Sequence, residues 1–416
     1  MKIMFISNLY PPIYIGGYEQ ICLDVAQGLQ EHGHTVHVLT SSFRAQEIRE
    51  SEQGVSRLLR LKWKGRFSDT RRLPTILNNI QVERHNVRVM HKLIEQFQPD
   101  VSMVWNGAGL GHGILGTVER HSPVVYYLQD MWLPWVLAFQ RPGRMTKFLR
   151  NRYRRTLGRL GIPPTAKQLS HLIFVSRYLQ QQHVQAGMDC RKATVIYNSL
   201  SSEVFALRRQ HILYRQSNEP FRILFCGQIK FEKGVTTLIE ALSRLRMIPG
   251  LEHTTLSLLG AIQSQAYGQQ LYERINTLDL ANVITFLPVR PRVEIPAVFD
   301  DHDIFAFPSQ WGEPFGLALL EAMASGIPVV AAADGGATEI LRDGENAHVF
   351  PARDVNELTH KLAWMLTHPQ EAAAIGRAAS KEVRQRFQLD TQVQFVEDFL
   401  RTAAAESPMI PSRNRA

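Results

Sequence analysis

The chain has 416 residues, 44% of them hydrophobic, and a formal charge of +9, which is enough apolar material for two or three domains of a soluble globular protein. The longest apolar runs, such as "LALLEAMASGIPVVAAA", are broken by Glu, Ser, Gly and Pro, so none reaches the roughly 20 residues of a membrane span. Cys22, Cys190 and Cys226 lie far apart without C-x-x-C spacing, which argues against a disulfide framework or a zinc site and for a reducing, cytoplasmic compartment.

The opening "KIMFIS" reads as a first strand, its apolar run being too short for a secretory signal. A turn-forming "NLYPPIYIGG" follows, then a helix from about Tyr18 to Glu31 and a second strand, "TVHVLT". Gly16 and Gly17 sit in the loop between strand and helix, where missing side chains let a backbone approach a phosphate or sugar; a tight turn needing positive φ explains them equally well. Further strands are predicted at "VSMVW", "VVYYL", "LIFVS" and "ATVIYN". Between Arg141 and Arg159, eight basic residues share a helical segment with Phe148, Leu149, Tyr153 and Leu157. That segment is either a solvated basic helix or one that rests on an anionic membrane.

The polar bridge "SSEVFALRRQHILYRQSNEP" leads to a fresh alternation of strands and helices through "FRILFCGQI", "LSLLG", "VITFL", "DIFAFPS" and "IPVVAA". The expectation is an α/β protein of two doubly wound Rossmann-like domains, 1–200 and 201–385, facing across a cleft that receives the ligand. A helix over 386–404 is expected to cross back to the first domain, and 405–416 to be a disordered tail.

Glu313 follows the strand "DIFAFPS" and precedes Pro314, after which helical periodicity runs to Gly326 and Pro328. The backbone N–H groups of Phe315, Gly316 and Leu317 then open a helix, a place that attracts phosphate oxygens and hydroxyls. Glu321 lies further into that helix. The two carboxylates can accept hydrogen bonds from a polyhydroxylated ligand, or they are an ordinary helix-start charge and a solvated one.

The stretch "EPFGLALLEAMASGIPVVAAADGGATEIL" resembles the glutamate, seven residues, glutamate motif of the family 4 glycosyltransferases, which have the GT-B fold. "NLYPPIYIGGYEQICLDVAQGLQEHGHTVHVLT", "FVSRYL", "VIYNS", "CGQIKFEKGVTTLIEAL" and "LSLLG" fall into the same family pattern in the same order. The resemblance implies that Glu313 contacts a donor sugar, that Glu321 holds a ribose, and that the backbone from Phe315 to Leu317 supports sugar and diphosphate. Lys233 matches the family lysine that neutralises the diphosphate; a fixed ammonium there stabilises the leaving nucleotide more in the transition state than in the ground state. Gly260 leaves room for a nucleobase or simply ends a strand.

Departures from the pattern bear on the chemistry. Gln228 stands where relatives commonly have Arg, and an amide lacks the charge and bidentate grip of a guanidinium. Gln129 stands where they often have His; it can orient a hydroxyl but cannot act as a base. Ser199 and Pro288 occupy positions where Gly is usual. Three other features are set aside. "DHD" at Asp301 to Asp303 resembles a metal triplet of another fold, His32, His34 and His37 lack further zinc ligands, and His112 reads as a loop or core residue.

The leading expectation is a retaining transferase that uses a nucleotide-diphosphate sugar, no catalytic metal and no other cofactor. Its acceptor, a glycan, lipid or small molecule, enters on the side of Gln129, Asp130 and Trp132, where the rings of Trp132 and Trp135 serve as stacking faces, core or lid. Peripheral contact with an anionic membrane through 141–159 is part of the expectation; nucleic acid is not. The rivals are a non-catalytic homologue acting as a binding or partner subunit, motivated by Gln129 and Gln228, and a GT-B epimerase or phosphorylase.

Overall fold

The computed structural model describes residues 1–48, 53–62, 74–137, 158, 169, 171–201 and 219–406. The chain divides into two compact units, Met1–Tyr197 with Asp390–Ala416, and Asn198–Leu389. The basic segment 141–159 lies, apart from residue 158, outside the described residues, as do most of the polar bridge and the tail from 407.

The first unit runs β1 (Lys2–Ser7), α1 (Tyr18–Glu31), β2 (Thr35–Ser41), β3 (Val55–Leu59), α2 (Pro74–Phe97), β4 (Val101–Asn106) and α3 (His112–Val118). It continues with β5 (Val124–Leu128), α4 (Trp132–Leu137), β6 (Leu172–Phe174), α5 (Arg177–Gln185) and β7 (Thr194–Val195). Its strands form a parallel sheet in the order β3-β2-β1-β4-β5-β6-β7. Ile3, Met4, Phe5 and Ile6 are fully buried, as an unbroken apolar strand covered by helices on both faces requires. "ATVIYN" supplies only the two residues of β7, and β3 at the other edge carries no apolar run to announce it.

The second unit runs β8 (Arg222–Cys226), α6 (Val235–Leu245), β9 (Thr255–Leu259), α7 (Gln265–Thr277), β10 (Ile284–Leu287), α8 (Ile295–Asp300) and β11 (Ile304–Phe307). Then come α9 (Leu317–Ser325), β12 (Val329–Ala332), β13 (His348–Phe350), α10 (Val355–Thr367) and α11 (Pro369–Arg386). Its parallel sheet has the order β10-β9-β8-β11-β12-β13. The amphipathic α6 buries Val235, Leu238, Ile239, Leu242 and Leu245 at helical spacing against this sheet.

Both sheets reverse their winding direction once, between β1 and β4 in the first and between β8 and β11 in the second. Loops leaving adjacent strands diverge at such a point and open a crevice at the carboxyl ends. The last helix, α12 (Leu389–Glu406), packs in the first unit and buries Val393, Val396, Leu400 and Ala403. Gly28 of α1 admits it, since a Cβ there would lie 2.5 Å from a Val393 methyl. Among the described residues no helix is long and apolar enough to cross a membrane.

Candidate functional site

In the second unit the chain leaves β11 at Phe307, and the loop Pro308 to Gly312 is strapped to the 3-10 turn Phe231–Lys233 that follows β8. Gln310 donates its backbone N–H to the Glu232 carbonyl at 2.9 Å and its side-chain amide to the Phe231 carbonyl at 2.6 Å. Gly234 permits this approach: its φ is +69°, and a Cβ would fall 1.8 Å from the Pro308 carbonyl oxygen. Two segments 80 residues apart thereby bring Lys233 and Glu313 together, with Lys233 Nζ donating to Glu313 Oε1. Ser309 Oγ donates to the same oxygen at 2.8 Å. The Glu313 side chain is 6% exposed and that of Lys233 19%, so the pair is sheltered yet reachable through its cation.

The backbone behind Glu313 is held by a second loop. Gly336 donates its N–H to the Glu313 carbonyl at 2.6 Å, and Cβ atoms at Gly335 and Gly336 would lie 2.5 Å from the Glu313 nitrogen and 2.1 Å from the Pro314 oxygen. The adjacent glycines of "DGG" after β12 were the signal for this contact. Gly316, at φ +99°, starts α9 without a side-chain cap, and the first ladder bond is Leu320 N–H to Gly316 O at 3.1 Å. The amides of the first turn therefore stand outside the helix's own bonding. Phe315 faces inward, 3% exposed, its ring against Phe387, so only its backbone can serve a ligand.

Glu321 does not join the Lys233–Glu313 pair. It faces Arg292 Nε at 3.5 Å, both side chains being 16% exposed. Glu321 also lies beside the end of β8, where burial and its charge push the Cys226 thiol up to about 12. Arg292 belongs to a turn with no motif of its own, which is why the sequence reading missed it. Gln228 is half-buried beyond β8. Gly260 has a packing explanation: at φ +142°, a Cβ would fall 1.9 Å from the Gly227 carbonyl oxygen. Trp311 was missed as well; its half-exposed ring carries the Lys230 and Lys233 ammonium groups at 5.1 and 5.8 Å from its centroid.

The first unit has its own polar crevice at the β1/β4 reversal. Asn8 donates its backbone N–H to the Asn106 carbonyl at 2.8 Å and accepts the Tyr18 hydroxyl at 2.7 Å. The tight-turn account of Gly16 and Gly17 is overturned, because neither has positive φ. The loop is instead tethered from inside: the Glu19 carboxylate accepts the amides of Ile15 at 3.0 Å and Gly16 at 3.1 Å. Burial drives the Glu19 pKa to about 7. Burial first, then the charges of Glu19 and Asp130, push the Tyr18 hydroxyl well above its ordinary value, so Asp130 lies near the glycine loop.

Asp130 Oδ1 also accepts the Trp132 amide at 2.7 Å, and Gln129 beside it is buried. Trp132 is not a free stacking face: it is 5% exposed and its ring fills the space over Gly107, where a Cβ would meet it at 2.8 Å. Trp135 is 67% exposed. The histidines near the end of α1 turn to Glu397 of α12, with His32 Nδ1 at 2.7 Å and His34 Nε2 at 3.1 Å. Asp303 accepts the Arg222 amide at 2.7 Å, a structural tie. Among the described residues no three His, Cys, Asp or Glu side chains gather as a metal site.

Two family descriptions match the chain: Glycosyltransferase Family 4 over residues 15–203 and Glycosyl transferases group 1 over residues 210–382. The chain belongs to glycosyltransferase family 4. This transferase is 27% identical over 293 residues to the GDP-mannose-dependent alpha-(1-6)-phosphatidylinositol monomannoside mannosyltransferase of Mycolicibacterium smegmatis, covering 67% of this chain and 71% of that protein. Among solved structures it resembles sucrose-phosphate synthase from Thermosynechococcus elongatus, with a TM-score of 0.73, 17% identity, and coverage of 98% and 100% of the two chains. Anabaena HepE in complex with UDP and glucose gives 0.69, 24%, 97% and 100%. Those two likenesses concern the fold, GT-B with two Rossmann-like domains.

Proposed function

We propose that this transferase moves a hexose, with retention of configuration and without a catalytic metal, from a nucleotide-diphosphate sugar to a glycan, lipid-linked or small-molecule acceptor. Cell-surface polysaccharide or glycoconjugate synthesis at the cytoplasmic side is the setting that reading implies, with peripheral contact through 141–159. The observation that carries it is the Lys233–Glu313 pair at the β8/β11 reversal, one cation and one acceptor aimed at the same small space. The GDP-mannose dependence of the Mycolicibacterium smegmatis relative supports it, and Anabaena HepE, alike in fold, binds UDP-glucose.

In this reading the bond from the anomeric carbon to the diphosphate breaks, the acceptor oxygen bonds to that carbon, and the acceptor's proton passes to the departing phosphate oxygen. Lys233 stabilises the charge that accumulates on the diphosphate. Glu313, already fixed by Lys233 and Ser309, accepts sugar hydroxyls with its remaining lone pairs, while the amides at the start of α9 support sugar and phosphate. Glu321 takes the ribose hydroxyls in company with Arg292, and Gln129 and Asp130 orient the acceptor.

Thermal melts of the full chain with UDP-, GDP- and ADP-sugars identify the donor by the rise in midpoint. Release of the corresponding nucleoside diphosphate is then followed with and without acceptor. Glu313→Ala is expected to lower release by about a hundredfold or more, whereas Met247→Ala, at a side chain 83% exposed, leaves it unchanged. Stabilisation by a donor with no release at all would convert the reading to a binding subunit. Absence of any stabilising nucleotide sugar would overturn it.

A further inference from the structure

The turn after β8 projects two lysines, not one, toward the indole of Trp311. Lys230 is the residue immediately before the 3-10 turn and Lys233 closes it, so both ammonium groups are delivered to the same ring, at 5.1 and 5.8 Å from its centroid. Ring and turn are one assembly, because Gln310, next to Trp311, is hydrogen-bonded to Phe231 and Glu232. The two cations are not equally partnered, although the charges of Glu232 and Glu313 both reach Lys230 through space. Glu313 is taken by Lys233 and Ser309, and among the described residues no carboxylate lies within ion-pair distance of Lys230.

We propose that Lys230 is a second cationic anchor for the donor diphosphate, sharing it with Lys233 above the face of Trp311. The inference rests on the nucleotide-sugar reading and adds a further residue to it. Burial first, then the neighbouring Lys233 charge, lower the Lys230 pKa against the opposing pull of Glu232 and Glu313. The aromatic face holds the ammonium in position without neutralising it, as a carboxylate would. Gln228, two residues earlier on the same loop, is uncharged, so Lys230 and Lys233 are the cations this loop supplies.

The test measures, by titration calorimetry on the full chain, binding of UDP, GDP and ADP beside the matching nucleosides, with inorganic pyrophosphate as the bare anion. Lys230→Gln is expected to weaken the preferred diphosphate by about tenfold or more, to weaken pyrophosphate similarly, and to leave the nucleoside unchanged. Lys230→Arg is expected to restore most of the loss. A melting midpoint of the unliganded Lys230→Gln chain equal to that of the unaltered chain confirms that it folds. Binding of the diphosphate by Lys230→Gln as tightly as by the unaltered chain, while Lys233→Gln loses it, overturns the role of Lys230 and leaves the nucleotide-sugar reading standing. An equal loss for nucleoside and diphosphate in Lys230→Gln also overturns it. Failure of the unaltered chain to bind any of the diphosphates or pyrophosphate overturns both.

Discussion

Glu19 is a fully buried carboxyl group that spends its two oxygens on the amides of Ile15 and Gly16, so the glycine loop is shaped from inside before any ligand arrives. Its pKa in the fold, about 7, lies above the ordinary 4.5, so its contribution to stability is full below 4.5 and disappears as the pH climbs through 7. The size of the shift corresponds to something on the order of 3 kcal/mol. Melts taken between about pH 5 and pH 8 should therefore fall more steeply for the unaltered chain than for Glu19→Gln, which cannot ionise. Parallel curves would assign the titration elsewhere. At this scale the sequence singled out Lys233 in "EKG" and Glu313 at a strand end before a helix, and the fold sets the two side by side. Arg292, Trp311 and Lys230 were silent, because each acquires its role from a partner brought near by folding rather than by spacing. For Trp132 the sequence left stacking face, core and lid open, and the bare backbone at Gly107 decides for the core.

Between elements, the decisive join is the strap from the turn after β8 to the loop after β11. Gly234→Ala should break it, since the left-handed backbone alone costs about 1–2 kcal/mol for a side chain and the added carbon has nowhere to go beside Pro308. Gly250→Ala supplies the comparison, with φ +86° but nothing within 4 Å. The two variants should share the backbone penalty, and only Gly234→Ala should also lose affinity for the nucleoside diphosphate. Equal affinities would mean that Lys233 and Glu313 find each other without the strap. The central strands β1, β4, β8 and β11 could be read from sequence because burial on both faces demands unbroken apolar runs. Edge strands such as β3, with a half-buried "VSR" and an exposed Leu58, and the three-residue β13 obey no such demand and left no mark.

Across the whole chain, the first unit is finished only by α12, which brings Val393, Val396 and Leu400 into its core, each worth about 1.5–3 kcal/mol when buried. Ending the chain after Leu389 should lower the melting temperature of the first unit far more than that of the second, which proteolysis fragments followed by mass spectrometry would resolve. Glu397 adds an acid-sensitive part to this attachment. The hydrogen bond from His32 is the largest of the causes that hold its carboxyl near 2, below the ordinary 4.5, so its contribution persists above 4.5 and is lost as the pH falls toward 2. Circular dichroism during acid titration should show the unaltered chain losing stability relative to Glu397→Gln across that window; coincident curves would remove Glu397 from the account. The segments entering and leaving the second unit are also tied side by side, Leu200 donating its amide to Phe387 O at 3.0 Å and Leu389 donating back to Leu200 O at 3.3 Å. In topological terms the second unit is a cassette inserted into the first. A ribosome therefore completes the cassette while its host still waits for the closing helix, the last described element to be made.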